Sequence, residues 1–275
     1  MIVYTFWEPR EKVPYYLQLC METWKKFLPN TEVVVLDYKN IGEYIDIDKD
    51  IGSNLRSSQI SLQVISDAIR IAVLLKYGGV WLDFDTIILN SNVEKYFLPD
   101  EDNKVVFFGR RKDESYAKNF CQMCFINTRP NSKLINVWLD YIREKLSKLP
   151  PSEPRAKWSF FGNSFINKYS LEHPEEVKLI NNRIAMPHKN LMLPHEKTGK
   201  RAYYEYYFYE NYHLEDISND MLFLQNSWTP RYFKKLAPKD FLSYDCTLTN
   251  VLAEALEIKL PPSQSRSRIK PKTEQ

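Results

Sequence analysis

The stretch from Ser66 to Leu89, "SDAIRIAVLLKYGGVWLDFDTIIL", is mostly apolar but contains four charged residues. Apolar residues occupy more than one face of a helix in its first part, and the following "GG" is suited to a left-handed cap. The run "VWL" then predicts a short buried strand. We therefore expect a buried helix over about 57–76, followed by a strand that ends at acidic residues.

The four charges fall into two pairs. Asp67 and Arg70 lie three positions apart, so on a helix they share one face, and one interpretation is a mutual ion pair that lets both tolerate burial. The second pair favours a site instead. On a strand, Asp83 and Asp85 point to the same side while Phe84 points to the other, so two carboxylates converge.

Converging carboxylates in a core are costly unless a cation or a proton joins them. Such oxygen ligands suit Mg²⁺ or Mn²⁺, and two carboxylates leave coordination positions for phosphate oxygens and water. Ligands of open α/β sheets bind at the carboxyl ends of the strands, where this pair falls. The pattern predicts a metal-bound phosphorylated ligand.

The Asp-x-Asp spacing also occurs in "DIDKD" at 46–50, in a polar context that we interpret as a surface loop.

The flanking sequence alternates between strand and helix patterns. "MIVYTFW" predicts a buried strand, "VPYYLQLCMETWKKF" a helix with Pro14 near its first turn, and "TEVVVLD" a second strand, which is the start of a parallel α/β sheet. "KVVFFGR" and "CQMCFINT" predict further strands. "NSKLINVWLDYIREKLSKL" predicts an amphipathic helix ended by Pro150 and Pro151, and "NVLAEALEIKL" a last short helix.

Composition excludes several classes of protein. The net charge of +3, from 38 Lys and Arg against 35 Asp and Glu, is too even for a nucleic-acid partner. No apolar run approaches the roughly 18 to 20 residues of a spanning helix, and the start lacks a basic leader, so we expect an unexported, cytoplasmic protein. Cys121 and Cys124 form a CxxC pair without a second pair at zinc-finger spacing, so buried thiols are favoured over a metal or redox site.

The stretch "RAYYEYYFYENYHLED" is unusually aromatic. Its rings could stack on a sugar or an interface, but aromatic residues mostly bury themselves, so packing is favoured. The aromatic residues are Tyr203, Tyr204, Tyr206, Tyr207, Phe208, Tyr209 and Tyr212.

The central pattern resembles a known family. Ser-Asp-x-x-Arg, an apolar helix, Tyr-Gly-Gly, an apolar strand and Asp-x-Asp are similar to the DXD-containing glycosyltransferases, which include capsular polysaccharide synthesis proteins, initiating mannosyltransferases and, more distantly, clostridial glucosylating toxins. "YTFWEP" near the start and "QNSWTP" near the end resemble two further elements of that family. The matching central residues are Ser66, Asp67, Arg70, Tyr77, Gly78, Gly79, Asp83 and Asp85.

The resemblance implies a GT-A fold, an α/β Rossmann-like fold with a central, mostly parallel sheet. It implies a single domain over 1–260, with a donor half at about 1–128 and an acceptor half at about 129–260. The segment 261–275 has the composition of a basic, disordered tail, which is either a solvated terminus or a contact with anionic lipid worth about 1 kcal/mol per charge.

The resemblance also implies roles for particular residues. Trp7 would stack on the nucleobase, while Asp67 and Arg70 would hydrogen-bond the hydroxyls of the donor sugar. Asp83 would contact ribose and sugar, and Asp85 would ligate Mn²⁺ or Mg²⁺ directly.

Three later residues complete the implied site. Ser227 and Trp228 would approach the diphosphate and the leaving oxygen, with Ser227 as a further metal ligand. Asn163, in "FFGNSF", is a candidate lining residue. Many relatives carry a histidine just before Ser-Trp, whereas this chain has Gln225 and Asn226, so the last protein ligand of the metal stays open.

The implied reaction is transfer from a nucleotide sugar, a UDP-sugar by expectation, to a lipid-linked oligosaccharide with retention of configuration. A divalent ion suits it because a nucleoside diphosphate leaves. The sequence names no clear nucleophile, so attack from the leaving group's own face is favoured over a covalent intermediate. The site would then lie at the inner face of the cell membrane.

Two alternatives stay open. A haloacid-dehalogenase-like phosphatase also ends a buried strand in Asp-x-Asp, but it usually has Thr or Val where this chain has Ile87, and it leaves Asp67 and Arg70 unexplained. The other alternative is a non-catalytic scaffold that binds a sugar nucleotide or a glycan.

Overall fold

The computed structural model describes residues 1–56, 60–111, 120–149, 161–186, 196–262 and 265–269, without the side chains of 196–198. The strands are β1 (Ile2–Phe6), β2 (Glu32–Leu36), β3 (Gly79–Leu82), β4 (Thr86–Ile88), β5 (Val105–Arg110), β6 (Phe120–Thr128), β7 (Val177–Asn181) and β8 (Met221–Phe223). The α-helices are α1 (Tyr15–Phe27), α2 (Leu62–Tyr77), α3 (Glu94–Phe97), α4 (Lys133–Ser147), α5 (Asn163–Glu172), α6 (Glu196–Tyr204), α7 (Pro238–Leu242) and α8 (Thr247–Ala255).

The chain divides into two compact units that interleave along the sequence. Unit 1 comprises Met1–Glu11, Asn30–Asp83 and Lys95–Asn181, and unit 2 comprises Lys12–Pro29, Phe84–Glu94 and Asn182–Gln275. This division differs from the expected halves at 1–128 and 129–260, because β7 joins the sheet of unit 1 and α1 belongs to unit 2.

Unit 1 is built on a six-stranded sheet with the order β2-β1-β3-β6-β5-β7. Strands β1, β2 and β3 run parallel, as do β5 and β7, while β6 is antiparallel to both of its neighbours. Five of the six strands therefore share one direction. The predicted α/β class with a mostly parallel central sheet is confirmed.

Helix α2 is buried on several faces, as its sequence predicts. Every residue from Ala68 to Leu74 is buried, and helix α4 packs beside α2 in the same core. The described part of the predicted helix begins at Leu62, and residues 57–59 lie outside the described residues.

The predicted strand alternation through Asp83 and Asp85 is wrong. Strand β3 ends at Leu82, and the chain makes a turn before β4 begins at Thr86. The Asp83 N–H still donates to Cys124 O of β6 at 2.8 Å, and the chain then leaves the sheet, although β6 itself continues to Phe120.

In unit 2, β4 and β8 form an antiparallel two-stranded sheet against which α1 packs. The buried Trp24 of α1 donates its indole N–H to Thr86 O at 2.7 Å, so α1 is fixed to the first residue of β4. The predicted last short helix is α8.

The aromatic stretch 203–212 is mainly packed, as expected. Tyr203, Tyr207 and Phe208 are buried, and the rings of Tyr203 and Tyr207 lie 4.8 Å apart. Tyr212 is exposed.

The four cysteines are free thiols, as expected. Cys20, Cys121 and Cys246 are buried, and Cys124 is partly buried.

Residues 265–269, which fall within the predicted tail at 261–275, contact the rest of unit 2. Ser267 pairs with Tyr244, and the Arg266 side chain is buried against Asp245. The buried ion pair between Arg266 and Asp245 fixes these residues, and composition alone does not predict such a pair. Residues 263–264 and 270–275 lie outside the described residues. Within the described ranges, no helix is long and apolar enough to cross a bilayer.

Candidate functional site

Unit 1 brings three of the predicted site residues together. Arg70 lies on α2 one turn after Asp67, and its Nη1 is 3.5 Å from Oδ1 of that carboxylate. Its Nη2 donates to Oδ1 of Asp83 at 2.8 Å, and its Nη1 also donates to Met123 O. The predicted shared face of Asp67 and Arg70 is confirmed. The pair is not an isolated ion pair, because the shorter bond of Arg70 is to Asp83.

The connection from α2 to β3 depends on two glycines. Gly78 has φ of 65° and Gly79 has φ of 86°, a region that residues with a Cβ rarely adopt. A Cβ on Gly78 would lie 2.5 Å from Pro130 N, and one on Gly79 would lie 2.8 Å from Ile2 O. The diglycine therefore lets the chain turn directly from α2 into the sheet, where β3 leads to Asp83.

Asp83 is held by donors on one oxygen. Besides the Arg70 bond, the indole N–H of Trp81 donates to Oδ1 of Asp83 at 2.9 Å. The guanidinium carbon of Arg70 lies 5.0 Å from the centre of the Trp81 ring, within range of a cation–π interaction. The Asp83 side chain is still 32% exposed, so it can reach a ligand.

Asp67 has an unusual electrostatic environment. Its pKa is raised to about 7, chiefly by burial; the positive charge of Arg70 opposes this rise, and the Asp83 carboxylate adds to it. A Cβ on Gly162, the N-cap of α5, would lie 3.1 Å from Oδ2 of Asp67. Near neutral pH, both protonation states of Asp67 are therefore populated. The protonated acid can donate a hydrogen bond, and the ionised carboxylate accepts one.

The side chain of Asn163 forms a hydrogen bond within unit 1. It is the first residue of α5, and its Nδ2 donates to Cys121 O at 2.8 Å, which ties α5 to β6. The indole N–H of buried Trp138 donates to Phe161 O at 2.6 Å and fixes the residue before Gly162. Asn163 thus lies next to the glycine that faces Asp67.

Trp7 is the first residue after β1, and Asp83 is the first residue after β3. These strands are parallel neighbours with Tyr4 opposite Trp81, so both residues lie at the carboxyl edge of the sheet. The Trp7 N–H donates to Leu36 O at 3.0 Å, and its side chain is half-buried. The location of Asp83 at this edge is as the sequence predicts.

Unit 2 holds Asp85 by the segment that contains the Ser-Trp element. The Asn226 N–H donates to Oδ2 of Asp85 at 2.6 Å, and the Leu224 N–H donates to Asp85 O at 2.9 Å. The hydroxyl of buried Tyr16 donates to Oδ1 of Asn226 at 2.5 Å. Asn226 thus orients Asp85 through its backbone N–H.

Ser227 and Trp228 lie in the turn that follows. The Trp228 N–H donates to Gln225 O at 2.9 Å, and the Trp228 ring lies 5.9 Å from that of Tyr203. Ser227 is exposed, with its hydroxyl one residue beyond the N–H that holds Asp85.

Sequence reasoning missed Trp81, Tyr16 and Lys234. Lys234 is half-buried in unit 2, where burial lowers its pKa and the charge of Asp85 opposes that shift. The basic run after "NSWTP" is a signal that could have drawn attention to it. No sequence signal identifies the Tyr16 contact, because Tyr16 and Asn226 are 210 positions apart.

A family model described as "Capsular polysaccharide synthesis protein" matches residues 1–149. This segment is more than half of the chain and contains Trp7, Asp67, Arg70 and the Asp-x-Asp. No curated protein matches the sequence.

Several solved glycosyltransferases are similar in structure at low sequence identity. A glycosyltransferase involved in glycosylation of the major capsid of PBCV-1 is 10% identical with a TM-score of 0.45, over 85% of this chain and 97% of that one. The glycosyltransferase GlyE of Streptococcus pneumoniae TIGR4 is 8% identical with a TM-score of 0.43, over 98% of this chain and 66% of that one.

The galactosyltransferase LgtC, in complex with donor and acceptor sugar analogs, is 12% identical with a TM-score of 0.41, over 96% of this chain and 98% of that one. No conclusion about this chain rests on these three likenesses. The family model, in contrast, matches the sequence itself over the first 149 residues, which contain most of the candidate site residues. The chain belongs to the family of capsular polysaccharide synthesis proteins.

Proposed function

We propose that the protein is a metal-dependent, retaining glycosyltransferase that moves a sugar from a UDP-sugar to a lipid-linked oligosaccharide in capsular polysaccharide synthesis. The observation that carries the proposal is the position of Arg70 between Asp67 and Asp83. Two partly buried carboxyl groups oriented by one buried cation offer several hydrogen-bond acceptors where α2 and the end of β3 meet. A hydroxyl-rich ligand such as a sugar satisfies such acceptors.

The residues fit a hard divalent cation, Mn²⁺ or Mg²⁺. Asp85, Asp83 and Ser227 supply only oxygen ligands, and Oδ2 of Asp85 is already oriented by the Asn226 N–H. When bound, the cation would neutralise charge that develops on the leaving nucleoside diphosphate. The half-buried ammonium of Lys234 adds a positive charge in the surroundings of Asp85.

The donor's other parts have candidate contacts of their own. Trp7, at the same sheet edge as Asp83, offers an aromatic ring for the nucleobase. Asp67 suits a sugar hydroxyl because its pKa of about 7 lets it donate or accept a hydrogen bond. Asn163 and Trp228 remain candidate lining residues.

We favour transfer on a single face of the sugar. A carboxylate nucleophile must be ionised and free to approach the anomeric carbon, whereas Asp67 is partly protonated near neutral pH and Asp83 is held by Arg70 and Trp81. The acceptor oxygen would form its bond to the anomeric carbon as the bond from that carbon to the phosphate oxygen breaks. The proton of the acceptor hydroxyl would pass to the departing phosphate.

The lipid-linked acceptor is proposed from the resemblance to capsular polysaccharide synthesis proteins. A peripheral contact with the inner face of the cell membrane is part of the same proposal; Arg268 is about two-thirds exposed, with its Nε 3.0 Å from Asp245. The phosphatase alternative is not favoured, because it leaves unused the Asp67 and Arg70 arrangement.

The test is hydrolysis of UDP-, GDP- and dTDP-sugars with Mn²⁺, Mg²⁺ or EDTA. We expect slow metal-dependent hydrolysis of a UDP-sugar, a loss of at least 100-fold in Asp85→Asn, and no change in Asp48→Asn. Asp48 is a matched control because it is the second aspartate of the other Asp-x-Asp and is exposed.

Three results would count against the proposal. Turnover of none of these donors would contradict it, and cleavage of p-nitrophenyl phosphate would favour the phosphatase. Normal polymer synthesis in cells that carry Asp85→Asn would favour a scaffold.

A further inference from the structure

We propose that Trp81, together with Arg70, is a positioning residue that holds Asp83 in one orientation for its ligand. This inference rests on the proposed function, since it concerns how the Asp83 carboxylate meets a nucleotide sugar. It also assigns Arg70 a role different from the direct contact with sugar hydroxyls that the family resemblance implies.

The hydrogen bonds around Asp83 are one-sided. Arg70 Nη2 and Trp81 Nε1 both donate to Oδ1, at 2.8 and 2.9 Å, and these are the side-chain hydrogen bonds to Asp83 from the described residues. Two donors in different directions on one oxygen fix the rotation of the carboxylate. Oδ2 is then directed away from both donors, and it is the oxygen left for a ligand.

Arg70 is itself immobilised. Its side chain is only 4% exposed, and it bonds to Met123 O as well as to Asp83, with Asp67 3.5 Å away. Its Nε has no hydrogen-bond partner among the described residues. A guanidinium enclosed in this way acts through the carboxylates rather than by reaching a sugar.

Trp81 is the second side chain that holds Asp83. It is 1% exposed, and its ring centre lies 5.0 Å from the guanidinium carbon of Arg70 while its N–H bonds to Asp83. One side chain therefore contacts both partners of the Arg70 and Asp83 ion pair. Phenylalanine at this position would keep an aromatic face for Arg70 and lose the donor to Asp83.

The test is a double-mutant cycle on binding of UDP with Mn²⁺, measured by calorimetry well below the melting temperature of each variant. We expect Trp81→Phe to weaken binding about 10-fold, as loss of a hydrogen bond to a charged group predicts. In an Asp83→Ala background, which lacks the acceptor oxygen, the same substitution should have less than a 2-fold effect, because Trp81 acts through the Asp83 carboxylate.

The control is Phe108→Leu, which removes ring volume from the buried core of unit 1 away from the Asp83 hydrogen bonds. It should lower the melting temperature without changing the dissociation constant. If Trp81→Phe does not fold, Trp81→Met replaces it, because its flexible apolar side chain fills part of the ring volume and carries no hydrogen-bond donor.

The outcomes separate this inference from the proposed function. Equal binding by the wild type and by a folded Trp81 variant would overturn the positioning role and leave the glycosyltransferase proposal intact. An equal loss in both Asp83 backgrounds would also overturn it, since Trp81 would then be acting on the core in general. Failure of the wild type to bind UDP, GDP or dTDP with metal would overturn the proposed function and this inference with it.

Discussion

Tyr16 and Asn226 are 210 positions apart in the sequence, yet the Tyr16 hydroxyl donates a 2.5 Å hydrogen bond to Oδ1 of Asn226. The backbone N–H of Asn226 in turn donates to Asp85. A fully buried side chain of α1 thus fixes the residue that orients the proposed metal ligand.

Tyr16→Phe should therefore weaken the metal site as well as the fold. Loss of the hydroxyl leaves Oδ1 of Asn226 without this donor, which costs about 1 kcal/mol of unfolding free energy. The dissociation constant for Mn²⁺ in the presence of UDP should rise severalfold. Calorimetry and urea titration check both values, and unchanged metal affinity at lowered stability would show that Tyr16 only supports the core.

Gly78→Ala should destabilise the chain strongly. The residue has φ of 65°, and a Cβ would lie 2.5 Å from Pro130 N, a backbone atom that cannot move aside cheaply. We expect a loss of more than about 2 kcal/mol, since the left-handed conformation alone costs about 1–2 kcal/mol. Gly42→Ala is the control, because a Cβ there meets nothing within 4 Å. A similar loss from both substitutions in urea unfolding would contradict the role assigned to Gly78.

The pKa of Asp67 predicts a pH dependence of stability. Its pKa in the folded state is raised to about 7 from an ordinary value of 3.8, so between those values the native state holds a proton that the unfolded state has released. Stability from this group therefore falls as pH rises through that window. Asp67→Asn removes this effect and should gain stability relative to the wild type from pH 5 to pH 8. A difference in unfolding free energy that does not vary with pH would show that the Asp67 pKa is near its ordinary value.

Lys234→Met should weaken binding of UDP with Mn²⁺ about 10-fold, because a half-buried ammonium that feels the charge of Asp85 can also attract a diphosphate. Methionine retains much of the apolar stem, so the unfolding free energy should change by less than about 1 kcal/mol. Lys235→Met, at the exposed neighbouring position, is the matched control. Equal effects of the two substitutions would indicate only a general loss of positive charge.

Asp245→Asn should destabilise unit 2. The Asp245 carboxylate pairs with the buried Arg266, whose Nη1 lies 3.5 Å away, and with Arg268, whose Nε lies 3.0 Å away. Removing one partner of a buried ion pair costs about 3–5 kcal/mol. Asp240→Asn, at an exposed position, should be neutral. Limited proteolysis should cut Asp245→Asn faster after residue 262, and resistance equal to the wild type would contradict the role of this pair.

The sequence predicts the parts of the fold that depend on local pattern. Periodicity identifies β1, α1 and β2, and the spacing of Asp67 and Arg70 gives their common face on α2. These features follow from the geometry of one helix or one strand.

Features that depend on distant pairing are not predictable in this way. The antiparallel direction of β6, the β4 and β8 pair and the contact of Tyr16 with Asn226 all join segments far apart in the chain. The turn after Leu82 also overrides the predicted strand alternation, because the chain leaves the sheet after Asp83 although β6 continues to Phe120. The second carboxylate of the Asp-x-Asp is therefore held by a segment about 140 residues later.

The buried tryptophans have a practical consequence. Trp24, Trp81 and Trp138 each direct an indole N–H at a segment beside a proposed site residue: Thr86 O, Asp83 and Phe161 O. Indole emission shifts with its hydrogen bonding and polarity, so intrinsic fluorescence should report occupation of these segments without any label. Replacing Trp81 alone would identify which part of the spectral change arises at Asp83.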